Sequence, residues 1–108
     1  MAIPRIRPLL LSVLRMTADS SEHTVEEIRQ RASREFKLTR KELEQKHSKT
    51  GMNVFVNRVA GALARLVMSR AITRKSKKEG VYRITKRGIA ILKGNPSELP
   101  IEALLNFP

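Results

Sequence analysis

The apolar positions of this chain recur first at helical spacing and then at strand spacing. Leu10, Val13 and Leu14 share one side of an opening segment. Pro4 and Pro8 suit the entrance of that helix, because proline is tolerated where the backbone N–H has no partner anyway. The helix ends near Met16, and Ala18-Asp19-Ser20-Ser21 is a polar loop. Thr24 and Glu27 then form a capping-box signal, in which hydroxyl and carboxylate each take an orphaned backbone N–H. Val25, Ile28, Ala32 and Phe36 follow on one face of a second helix. Thr39 and Glu42 repeat the cap and start a short polar helix toward His47, anchored by Leu43 alone. Residues 48–53, with Gly51, read as a loop. The longest helix runs from Val54 to about Ser69, with Phe55, Val59, Leu63, Leu66 and Val67 as its inner stripe.

The rhythm then changes. Residues 72–75 and 81–84 are short runs of β type, separated by Ser76-Lys77-Lys78-Glu79-Gly80. A polar loop ending in glycine between such runs reads as a hairpin, here with a basic tip. Thr85 can cap a last helix carrying Ile89, Ile91 and Leu92, which Gly94-Asn95-Pro96 stops. The apolar tail of residues 101–107 suits packing on the first helix or on a second copy of the chain. With no repeat, low-complexity tract or interdomain linker, residues 1–108 are expected to form a single domain that is mainly α with a small β hairpin. Helices followed by a hairpin are the plan of a winged helix-turn-helix. In that plan the helix before the hairpin enters the major groove, and the hairpin meets backbone or minor groove.

Composition narrows the partners. Hydrophobic residues make up 41% of the chain, enough for a modest core. The aromatic residues are Phe36, Phe55, Tyr82 and Phe107, so that core must be mostly aliphatic. There is no cysteine, which removes disulfides, thiolate chemistry and Cys-based zinc sites and suits a reducing cytoplasm. The formal net charge is +12, which points to a polyanion, either nucleic acid or an anionic membrane surface. The run Leu9-Leu10-Leu11 is far too short to span a bilayer, and the opening segment lacks the pattern of a secretory signal. Between Asn57 and Lys93 the basic residues face one acid, Glu79, whereas acids offset much of the charge before Lys49. The second half is therefore the expected binding half.

On the long helix Asn57, Gly61, Ala64, Arg65 and Met68 fall opposite the inner stripe, with Arg58 beside them. Asparagine and arginine can bond adenine or guanine edges in two-point fashion. Gly61 can serve either close approach to a groove or contact with another helix. Arg74, Lys75, Lys77, Lys78 and Arg83 gather on the hairpin, where each can neutralise a phosphate or simply be solvated. Tyr82 either stacks outward or caps the core edge. Lys86 and Arg87 open the last helix, where cations oppose the dipole and favour an anionic partner. His23 and His47 make no metal pair and read as loop or surface residues. Glu44-Gln45-Lys46 matches half of a nuclease metal motif, but no strand precedes it with the further acid that such chemistry needs. No phosphate-binding glycine loop or Ser–His–acid arrangement is present, so neither cofactor nor catalysis is expected.

Asn57-Arg58-Val59 with Ala62, and then Gly80-Val81-Tyr82-Arg83-Ile84-Thr85-Lys86-Arg87-Gly88, resemble the N-terminal domain of Mrr-type restriction endonucleases. The likeness is good over residues 54–92 and looser over nearly the whole chain. It implies a winged helix placed before a nuclease domain and associated with cleavage of modified DNA. It also implies that Asn57, Arg58 and Arg65 lie at or near the DNA face. The Asn-Arg pair can alternatively brace the helix. A departure is Gly61, around which the family often carries an aromatic residue. The leading expectation is a non-catalytic module that recognises double-stranded DNA, with modified bases, for a nuclease outside these residues. A small stand-alone transcriptional regulator that dimerises, and a winged helix that binds RNA or an acidic protein, are the alternatives.

Overall fold

Among the described residues, 3–76 and 80–94, the computed structural model runs α1 (Ile6–Met16), β1 (His23–Thr24), α2 (Val25–Glu35), α3 (Arg40–Glu44), α4 (Val54–Met68), β2 (Ile72–Ser76), β3 (Val81–Ile84) and α5 (Lys86–Lys93). The frame is a winged helix, mainly α with a small antiparallel sheet. No described helix is long and apolar enough to cross a membrane. The tail expected to pack on α1 or on a second copy, and the wing tip at Lys77 and Lys78, lie outside the described residues.

The core is built around α1. Its Leu9, Leu10, Leu11, Val13 and Leu14 are all buried, rather than the single stripe read from spacing. The reason is that α1 is covered on several sides, chiefly by α4 and also by α2 and α5. Each leucine removed from water contributes about 2 kcal/mol. From α4 come Phe55, Val59, Ala62, Leu63 and Leu66, while Val67 is only partly buried. Ile28 and Ala32 of α2 close the same core.

Caps set the helix starts much as the sequence signals suggest. Thr39 and Glu42 form a full capping box, with the Thr39 N–H donating to the Glu42 carboxylate at 2.8 Å. That bond also holds the Glu42 carboxyl below its ordinary range. Thr24 caps α2 by accepting from the Glu27 N–H at 3.2 Å, but the Glu27 carboxylate turns away to His23. The α3 helix stops at Glu44, and Lys46 bridges to Asn53 across a tight loop. Asn53 itself caps α4, accepting from the Val56 N–H at 3.0 Å.

The sheet has the order β1-β3-β2, so the hairpin is joined by a strand that periodicity did not reveal. Two residues are too few to show alternation. His23 pairs with Tyr82, and Tyr82 pairs on its other side with Arg74. Far from being a surface residue, His23 is only 3% exposed. Its Nδ1 lies 2.8 Å from Glu27 and its Nε2 2.8 Å from Asp19. Burial works against a charge on the ring, yet the bonds to Asp19 and Glu27 prevail and raise its pKa above 6.5. In turn the His23 bond, with those from Ser21, holds the Asp19 carboxyl far below the usual carboxylate range.

The corner joining α4 to the sheet is closed by backbone bonds. The Arg70 N–H donates to Val67 O at 3.0 Å and the Ala71 N–H to Leu66 O at 2.9 Å, the pattern of a Schellman helix ending. Arg70 takes the left-handed conformation there, φ 64°, a place usually given to glycine. Across the corner the Thr85 N–H donates to Ala71 O at 3.1 Å. The Thr85 hydroxyl reaches the same carbonyl and also accepts from the Gly88 N–H at 3.1 Å. A Cβ on Gly88 would stand 2.2 Å from Ala71 O and 2.7 Å from Ile84 Cγ1, so α5 can approach this corner only through a glycine.

Two outcomes follow from these contacts. Gly88→Ala is expected to lower unfolding free energy by about 3 kcal/mol, the upper range for forcing a methyl into a filled site. Denaturant titration checks it, and unchanged stability would refute the close approach. The His23 contribution should be complete below pH 6.5, the ordinary imidazole value, and fade as pH rises through the raised folded-state value. Thermal melts from pH 6 to 9 should therefore show a loss that His23→Gln lacks; parallel curves for the two proteins would contradict it.

Candidate nucleic-acid interface

The outward face of α4 is set by which neighbours cover its flanks. Phe55, Val59, Ala62 and Leu66 point into the core, so the opposite stripe is Asn57, Ala60, Ala64 and Met68, all exposed. Met68 is 77% exposed and Met52, just before the helix, 52% exposed. A stripe of small and uncharged side chains with thioethers at its ends is an unusual surface for a protein of charge +12.

Gly61 and Arg65 belong beside this stripe rather than in it. A Cβ on Gly61 would come 3.1 Å from Ile6 Cδ1 and 3.2 Å from Arg65 Nη1. Gly61 therefore serves the contact of α4 with α1, the helix–helix alternative. Arg65 folds back so that Nη1 donates to Gly61 O at 3.0 Å. Arg58 also turns inward: its Nη1 donates to Ile3 O at 2.9 Å and reaches Pro4 O at 3.4 Å. It ties the segment preceding α1 to α4. Within the Asn-Arg pair, Arg58 braces and Asn57 is exposed.

The wing residues divide in the same way. Lys75 pairs with Glu22, whose carboxyl is drawn below its ordinary range by that bond and charge. Arg83 and Thr73, opposite each other across β3 and β2, are exposed. Arg74 sits over the Tyr82 ring at 5.9 Å from its centre. Tyr82 is 8% exposed and caps the core edge, so its ring offers no open stacking platform. Lys86 is exposed, but Arg87 donates from Nε to Ser69 O at 2.8 Å. That carbonyl lies at the C-terminal end of α4, where a cation is favoured, which offsets the unfavourable start of α5.

Between α4, α2 and the wing runs an open groove of about 530 Å³, lined by Val25 and Arg29 of α2, by Ala60, Leu63, Ala64, Val67 and Met68 of α4, and by Arg74, Gly80 and Tyr82. A second depression of about 370 Å³ lies at the other end of the stripe, between Asn57 and the loop of His47, Ser48, Lys49, Thr50 and Met52. That loop is stiffened by the His47 N–H donating to Met52 O at 2.8 Å and the Gly51 N–H donating to His47 O at 2.9 Å. Among the residues expected from the sequence, Ala64, Met68, Arg74 and Tyr82 thus line the groove and Asn57 the second depression, whereas Arg58, Gly61, Arg65 and Arg87 are tied into the scaffold. Sequence reasoning missed Arg29 and Ala60. Arg29 stands one turn after Val25, the spacing that could have placed it beside the groove. Glu44, of the partial nuclease motif, is engaged with Arg40 at 3.3 Å.

Nothing among curated proteins or solved structures matches this chain significantly. The family profile described as the Mrr N-terminal domain matches residues 7–94, from the first turn of α1 to the end of α5. That span includes the Asn57-bearing helix, the wing and the Thr85–Gly88 corner, so the chain belongs to the Mrr N-terminal domain family.

Proposed function

We propose that this chain is a DNA-recognition module that lays α4 in the major groove of a duplex, sets the wing against the backbone and favours modified bases. The observation that carries this reading is the uncharged stripe of Asn57, Ala60, Ala64 and Met68, set beside a basic wing on a winged-helix frame. Small side chains let a helix backbone come close to base edges. Alanine meets methyl groups on the major-groove edge, and asparagine can take adenine N6 and N7 together. Apolar contact with a methylated base is therefore the chemistry this face suits. Phosphate contacts from the wing hold register and orientation without reading sequence. The chain's role is recognition, with cleavage carried by a nuclease domain outside these residues, in keeping with the family to which it belongs.

Competition titrations of matched duplexes test both parts. Affinity should fall steeply with salt, and a base-methylated duplex should bind better than its unmodified counterpart by about tenfold, near 1.4 kcal/mol. Ala64→Glu should abolish duplex binding without lowering the melting temperature, since that position is exposed. Equal competition by both duplexes would refute the preference for modification. Full binding by the Ala64→Glu protein would refute the placement of α4.

A further inference from the structure

The loop that joins α3 to α4 holds a set of donors open to solvent. Residues 44–52 are all exposed, yet the loop is fixed at its base. There the Val54 N–H donates to Gln45 O at 2.9 Å and the Asn53 side-chain amide donates to Leu43 O at 2.6 Å. The backbone bonds of His47 and Gly51 close its turn, where Gly51 takes the left-handed conformation, φ 70°. The Thr50 hydroxyl accepts from the Met52 N–H at 3.3 Å, which leaves its own proton to point outward. Among the described residues, no partner engages the Lys49 ammonium, the Ser48 hydroxyl or the backbone N–H groups of residues 48–50. No carboxylate lines the depression that these residues share with Asn57. The acids nearest in sequence are occupied, Glu42 with the Thr39 N–H and Glu44 with Arg40. A preformed concavity edged by donors and an ammonium, without a carboxylate, has the chemistry of an anion site.

We infer that this loop is a second backbone anchor, in which Lys49 and the hydroxyls of Ser48 and Thr50 take phosphates of the duplex at the end of α4 away from the wing. The choice of a DNA strand as occupant follows from continuity. Asn57 belongs both to the exposed stripe of α4 and to the wall of this depression, so a duplex lying along the stripe passes over the loop. The two ends of that stripe, Asn57 and Met68, stand about 16 Å apart along the helix axis. Contact with the wing alone would leave α4 free to pivot in the groove. A phosphate contact at each end fixes its register without reading sequence. The inference rests on the DNA-binding reading and adds a specific claim: the wing shares the anchoring with the loop before α4.

The test titrates the full chain with methylated and unmodified duplexes over a range of salt concentrations. Lys49→Ala should weaken binding to both by about threefold and lower the salt slope by about one. Its melting temperature should match that of the wild type, because the side chain is exposed and makes no bond within the described fold. Lys93→Ala removes an equal charge from the end of α5, so it measures the effect of net charge alone and should leave the slope nearly unchanged. In the wild-type protein the backbone amide resonances of Ser48, Lys49 and Thr50 should shift on addition of duplex. A Lys49→Ala slope no lower than that of Lys93→Ala, or loop amides silent at saturating duplex, would overturn the anchor while leaving DNA recognition standing. Amides that respond to a glutamate-rich peptide but not to duplex would overturn it in favour of an acidic protein partner. Absence of any duplex binding by the wild type would remove the DNA reading and the anchor with it.

Discussion

One carbonyl organises the C-terminal half of this molecule. Ala71 O accepts from the Thr85 N–H, lies within reach of the Thr85 hydroxyl, and leaves no space for a side chain at position 88. Through it the end of α4, the start of β2, the end of β3 and the first turn of α5 meet at a single point. The angle between the groove-facing helix and the wing is consequently fixed by hydrogen bonds and close contact, not by a hinge. Arg70, held at positive φ, and Arg87, bonded to Ser69 O, brace the same turn. The His23 cluster secures the other edge of the sheet, because β1 is joined to β3 and its imidazole is clamped by acids from the preceding loop and from α2.

On this frame the basic residues perform two different tasks. Arg58, Arg65 and Arg87 spend donors on backbone carbonyls of Ile3, Gly61 and Ser69: Arg58 ties α4 to the segment before α1, Arg87 ties α5 to the end of α4, and Arg65 folds back along α4 itself. Arg74, Arg83 and Lys86 remain at the surface. Part of the positive charge is thus engaged within the fold, and the exposed stripe of Asn57, Ala60, Ala64 and Met68 carries no charge. On the proposed DNA-binding reading, a neutral stripe with cations at its border would divide base discrimination by apolar and amide groups from phosphate contact by guanidinium and ammonium groups.

The sequence made the element order legible because its strongest signals are local. The caps at Thr24, Thr39 and Thr85, the glycine ending after Lys93 and the spacing of Phe55, Val59, Leu63 and Leu66 all act within a turn or two. The resemblance at Asn57-Arg58 and Thr85–Gly88 also located the family, although much of what carries it proved to be scaffold: Thr85 and Gly88 close the corner and Arg58 ties down the start of the chain. What depended on distant partners was hidden. Position on the helical wheel put Gly61 and Arg65 outward, but the crossing of α1 claims that flank and moves the exposed stripe to Ala60. His23 looked like a loop residue because a strand of two residues has no period. Arg29 carried no motif at all, and only the packing of α2 beside the wing gives it a place.

On the proposed function, the stripe from Asn57 to Met68 is the surface that meets DNA. Backbone chemical-shift mapping of the labelled protein with a short methylated duplex addresses it directly. The largest changes are expected at Asn57, Ala60, Ala64 and Met68 and along β2 and β3, with α1 nearly unaffected. Strong changes confined to other surfaces, with this stripe silent at saturating duplex, would contradict it.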